Sequence, residues 1–214
     1  MERTLNELML PALGFLLGLR HAADADHVVT VTALAARRRG AFPALLVGTI
    51  WGLGHSLTVM LTGGLIILFR LQVPAWTATG LELGVAALLL WLGWSNLRGA
   101  GAGALHAERP GGDQGHRMLG RAAFAGFVHG LAGSAAVALL ILASIPQPAT
   151  ALVYLSVFGL GTVLGMAAFS AAMGKAISYL SLCWKTTDKV LSFSTGLLSL
   201  GFGAYLTVHI LFTR

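Results

Sequence analysis

The sequence predicts an all-α, polytopic membrane protein with six transmembrane helices arranged as two inverted three-helix repeats. Three observations carry that expectation. Hydrophobic residues make up 56% of the 214 and charged residues only 10%, with a mean hydropathy of +0.79. A soluble domain needs about 25% charged residues to solvate its surface, so lipid must cover much of this chain. Six apolar stretches are each long enough for the roughly 20 residues of helix that cross about 30 Å of hydrocarbon. Short blocks of sequence also recur in the same order in the two halves.

The spans fall at about 7–36, 42–69, 78–98, 120–145, 149–174 and 188–212. Pro11 and Pro43 sit near helix starts, where a missing N–H is tolerated. Residues 8–19 have the look of a signal-peptide core, but Glu2 and Glu7 weaken that reading and the segment is expected to be retained. The stretch "SIPQPAT" (144–150) is a tight loop between spans four and five. Residues 99–119, Gly-rich with Pro110 and Asp113, form the one long polar connection. It divides the chain into a first unit (1–98), a cytoplasmic loop (99–119) and a second unit (120–214).

The blocks "GLRHAADADHVVTV", "WGLGHSLTVMLTGG" and "TGLELGVAALLLWLG" align with "GLAGSAAVALLILA", "FGLGTVLGMAAFSA" and "TGLLSLGFGAYLTVH" at offsets of 112, 107 and 116 residues. Three spans is an odd number, so the second copy enters the membrane from the opposite side. Many transporters are built this way, with the substrate site at midplane between the copies. Ten of the fourteen Lys and Arg residues collect on one side, including Arg37, Arg38 and Arg39. That side is the cytoplasmic one, which places both termini outside.

The net charge of +6 does not point to nucleic acid, because the basic residues are scattered over short loops with no interleaved aromatic stripe. The single cysteine, Cys183, excludes an intrachain disulfide and reads as a small packed residue near a helix end.

Against this apolar background, span one carries Arg20, His21, Asp24, Asp26 and His27 within eight positions. Charge at membrane depth costs several kcal/mol, so such groups are functional by default. On a regular helix Arg20, His21, Asp24 and His27 share an arc of about 120°, offering two imidazoles that bracket a carboxylate. Asp26 then points elsewhere, unless the helix is locally unwound. Arg20 with Asp24 also reads as a structural i,i+4 ion pair. His55 in span two supplies a further nitrogen, and Gly48, Gly52 and Gly54 around it allow close helix approach. Imidazole with carboxylate suits borderline divalent ions such as Ni²⁺, Co²⁺ and Zn²⁺.

At these residues the chain resembles the nickel/cobalt permease (NiCoT) superfamily. Its signature R-H-A-x-D-A-D-H reads here Arg20-His21-Ala22-Ala23-Asp24-Ala25-Asp26-His27, and its L-G-H-S block reads Leu53-Gly54-His55-Ser56. Length and "GFVHGLAGSAAVALL" (126–140) look like the short, urease-accessory-type (UreH-like) members. The resemblance implies that His21, Asp24, Asp26 and His27 bind metal with His55 nearby. It also implies Ni²⁺ or Co²⁺ as transported substrate with no permanent cofactor, and cytosolic metallochaperones or urease accessory proteins as partners. One departure stands out. The acidic block L-G-F-D-T-A-T-E of classical permeases corresponds here to "FGLGTVLGMA" (158–167), which has no acid. His129, Ser134 and Thr162 are left as the second half's polar contributors, and His129 reads first as structural.

The expected function is therefore uptake of nickel or cobalt across the cell membrane by alternating access, with no enzymatic activity. Efflux on the same scaffold and a membrane-embedded zinc-dependent hydrolase are the alternatives. His106 and His116, ten residues apart in the loop, read as solvated rather than as the His-rich loop of an exporter.

Overall fold

The computed structural model describes residues 2–35, 40–71, 74–101, 113–132, 145–183 and 187–213. Among them there are seven helices and no strand: α1 (Glu2–His21), α2 (Ala25–Ala35), α3 (Ala41–Phe69), α4 (Ala75–Gly101), α5 (Asp113–Leu131), α6 (Pro148–Cys183) and α7 (Thr187–Thr213). Four of these, α3, α4, α6 and α7, are long and apolar enough to cross a membrane. The chain is an all-α, multi-pass membrane protein. The Arg37–Arg39 loop, His106, Ser134 and the end of span four (133–144) lie outside the described residues.

Span one is two helices rather than a single one. After His21 the backbone tightens, with Ala23 N–H bonded to the Arg20 carbonyl (2.9 Å) and Asp24 N–H to that of His21 (3.0 Å). The Val28 N–H to Asp24 carbonyl bond (2.9 Å) then opens α2. No glycine or proline lies between Ala22 and Ala25. The break instead follows from two aspartates, which favour helix starts, with Asp26 in the first turn of α2 where the helix dipole stabilises a negative charge. The other boundaries move modestly: α6 runs nine residues past the expected end at 174, because a single Lys175 does not stop a helix.

Lipid removes the usual hydrophobic drive between helices, so close packing must hold them together. Helix α3 shows how the sequence meets this. Leu53, Leu57, Leu61 and Leu65, four residues apart, are exposed and face outward. The buried face carries small or polar residues, among them Gly48, Gly52, His55, Ser56 and Gly63. Helix α6 lies antiparallel on that face, with Gly48 against Ser170, Gly52 against Val163 and Gly63 against Leu155. The Ser56 hydroxyl donates to the Gly159 carbonyl across the crossing (3.0 Å).

Two further contacts repeat one another. Helix α1 runs parallel to α6, and a Cβ on Gly18 would run into the Phe158 carbonyl and, at 2.8 Å, the Thr162 nitrogen. Helix α5 runs parallel to α3, and a Cβ on Gly126 would run into the Trp51 carbonyl and, at 2.9 Å, the His55 nitrogen. Gly161 against Phe15 and Gly54 against Ala123 complete the pattern. By these contacts Gly18 corresponds to Gly126, where the sequence alignment pairs it with Gly130. Apolar blocks slide past one another easily, and packing picks the register. Helices α4 and α7 form the remaining antiparallel pair, with Gly93 against Gly196 and the Ser199 hydroxyl donating to the Leu89 carbonyl (2.7 Å). An Asn96 amide bond to the Ala33 carbonyl (2.9 Å) ties α4 to α2.

Candidate metal centre

Gly14 and Gly18 let α1 lie on α6 closely enough to carry His21, in its last turn, to the middle of the bundle. Helix α2 restarts three residues on and brings His27 back to the same point. Helix α3, clamped between α5 and α6 by the glycines above, presents His55. The ligating atoms of His21, His27 and His55 all lie within 4.8 Å of one another. The three rings are 5%, 0% and 1% exposed.

Hydrogen bonds fix which ring nitrogens carry protons. The His21 Nδ1–H donates to Asp24 Oδ2 (2.8 Å) and the His27 Nδ1–H to Asp26 Oδ1 (3.1 Å). Each imidazole therefore turns a bare Nε2 inward. His21 Nε2 lies 3.2 Å from His55 Nε2. Among the described residues, His27 Nε2 and His55 Nδ1 are buried without a hydrogen-bond partner. Leaving such groups unsatisfied costs about 1–3 kcal/mol each, and with one ligating atom from each of the three rings within reach of the others the cluster suits an electrophile. Two nitrogens held about 2.0–2.1 Å from one ion at right or tetrahedral angles are about 2.8–3.4 Å apart, and the 3.2 Å separation falls within that range.

The regular-helix picture placed a carboxylate between two imidazoles. In the structure Asp24 and Asp26 instead sit behind His21 and His27, on the side away from the cluster. Carboxylates backing metal-binding histidines hold the tautomer and raise ligand basicity. Asp24 is bonded to His21, and Arg20 is exposed. The Phe158 and Trp51 rings, 5.5 Å from His21 and 5.3 Å from His27, wall the cluster.

A fourth imidazole adjoins it. His129, 1% exposed in the last turn of α5, lies 5.3 Å from the His27 ring, centroid to centroid. Thr162 is fully buried, with its hydroxyl spent on the Phe158 carbonyl (2.9 Å). Beside the aspartates a cavity of about 400 Å³ opens, lined by Asp24, Asp26, Glu82 and His209 with Phe202 and Leu206. Asp24, 39% exposed, both lines this cavity and holds His21. Glu82 and His209 escape a motif-based reading because each stands far from the charged residues of its span, Arg98 at the other end of α4 and Asp188 and Lys189 at the other end of α7. Their position inside apolar helices is the only available signal.

No family model and no solved structure matches the chain. It is similar to a curated protein described as urease accessory protein UreH from Bacillus sp. (strain TB-90), at 32% identity over 175 residues, covering 78% of this chain and 77% of that one.

Proposed function

The chain belongs to the family of urease accessory protein UreH, and on that premise we propose that it is a membrane permease for Ni²⁺, with Co²⁺ as second substrate. It takes the ion into the cytoplasm to supply a nickel enzyme such as urease, with accessory proteins or a metallochaperone receiving it. The relative's name describes an accessory protein, which accords with the expectation of no enzymatic activity. The observation that carries the metal reading is the buried triad of imidazoles whose bare nitrogens converge in an apolar bundle. Of the five residues assigned to the metal, His21, His27 and His55 ligate it and Asp24 and Asp26 orient the first two. Histidine donors with no thiolate favour a borderline divalent ion over a soft one.

The ion approaches through the cavity and exchanges water for carboxylate and then for imidazole. Glu82 lies near the start of α4 and Arg98 near its end. Arg98 stacks on Trp94 at 4.7 Å and Arg121 on Trp91 at 5.6 Å, the basic and aromatic belt suited to the cytoplasmic interface. The cavity then faces outward, and both termini are extracytoplasmic. Six spans in two inverted three-helix repeats complete the proposal, supported by the antiparallel course of α3 with α6 and of α4 with α7. Rocking one repeat against the other alternates access to the midplane site.

The test is accumulation of radioactive nickel by metal-limited cells expressing the protein. Uptake is expected with the wild type and is lost in His21→Gln and His27→Gln. Wild-type cells that take up no nickel or cobalt defeat the proposal, and cells that lose nickel faster than controls reverse its direction.

A further inference from the structure

Beyond the triad, His129 poses a hydrogen-bonding conflict. Its Nδ1 lies 3.2 Å from the Ala125 carbonyl, which can only accept, so the ring proton belongs there. The bare Nε2 then faces Thr30 Oγ1 at 3.3 Å and Asp26 Oδ2 at 4.0 Å. The single proton of Thr30 is committed to the Asp26 carbonyl oxygen at 2.8 Å, the shorter contact. Three lone-pair donors therefore face one another beside the cavity that Asp26 lines. Moving the imidazole proton to Nε2 does not help, because Nδ1 then opposes the Ala125 carbonyl. A cation on Nε2, a proton or a metal ion, resolves the conflict, and a separation of 4.0 Å is what one metal ion bonded at about 2.0–2.2 Å on opposite sides to nitrogen and oxygen spans.

Position in the fold makes the same point independently. Gly18 and Gly126 pack equivalently, and each is followed three residues later by a histidine, His21 and His129. Each histidine carbonyl accepts a tightened bond from the third residue on, Asp24 N–H (3.0 Å) and Ala132 N–H (3.2 Å). Both helices thus end at corresponding places, and a helix C-terminus favours a cation. His27 lies between, its centroid 4.5 Å from that of His21 and 5.3 Å from that of His129.

We propose that His129, with Asp26 and Thr30, forms a second station for the divalent cation, which receives the ion from the triad through His27. This rests on the reading of the triad as a metal site. It gives the second half of the chain a direct part in transport, although its helices carry no carboxylate near the site.

The probe is Co²⁺ bound to full-length protein in lipid nanodiscs. In a Cys183→Ser background, His129→Cys places the only thiol at the second station. At saturating Co²⁺ a thiolate-to-metal charge-transfer band is expected, absent from Cys183→Ser alone. His129→Gln is expected to keep Co²⁺ affinity at the triad within about threefold while uptake falls by at least about tenfold. A folded, Co²⁺-saturated His129→Cys protein with no charge-transfer band overturns the proposal, as it would if His129 carries a proton instead. So does a His129→Gln variant that transports at the wild-type rate. Wild-type protein that binds no Co²⁺ overturns the triad reading itself, which is a distinguishable result.

Discussion

Asp24 shows how a residue can serve the proposed triad without being one of its three ligands. Its carboxylate meets the outer nitrogen of His21, leaving the inner one bare. Asp24→Asn keeps an acceptor there but removes the charge that makes the imidazole a strong donor. Nickel affinity is expected to fall about 10–100-fold by equilibrium dialysis, with little change in melting temperature. An unchanged affinity would mean that Asp24 does not act through His21. The sequence singled out all five of the residues that the structure brings together, His21, His27 and His55 with Asp24 and Asp26 beside them, because ionisable groups in an apolar span stand out. Their division into three imidazoles and two backing carboxylates was not legible there. That division depends on where α1 stops against α6, which is set by Gly18 meeting Phe158 some 140 residues away.

Among the elements, glycine faces decide which helices can approach and how closely. Gly126 lies on the Trp51 carbonyl and the His55 nitrogen, and backbone cannot move aside as a flexible side chain can. Gly126→Ala is expected to cost about 1–3 kcal/mol, read as a lowered melting temperature, and to weaken nickel binding by displacing His55. At Gly80, where a Cβ meets nothing within 4 Å, alanine is expected to be neutral or to stabilise α4 by about 0.5–1 kcal/mol. Equal losses at both positions would show that helix propensity, rather than contact, governs these sites. The apolar runs located α3, α4, α6 and α7 to within a few residues at most ends. The break in span one entered only as the alternative of local unwinding at Asp26, although Asp24 and Asp26 signalled a new helix start. Hydrophobicity continues straight across that point, and a periodicity argument sees no interruption.

At the scale of the molecule, polarity is turned inside out: leucines face lipid while imidazoles, hydroxyls and glycines form the interior. Both termini are expected on the outer face, so tags at either end of the chain should be accessible in intact cells, and protection of both would invert the orientation. On that premise the outer cavity sets the order in which an ion meets its ligands. Oxygen dominates first, from Glu82, Asp24 and Asp26 beside the single imidazole of His209, and the cluster of three imidazoles comes only afterwards. Lowering the oxygen charge by Glu82→Gln is expected to raise the KM for nickel several-fold, by about 1 kcal/mol, with Vmax retained. Magnesium satisfies the first demand and fails the second, since it prefers oxygen and dehydrates reluctantly. On the permease reading, abundant magnesium is therefore expected to wait in the antechamber without passing, a turnstile whose queue is set by a metal that does not go through.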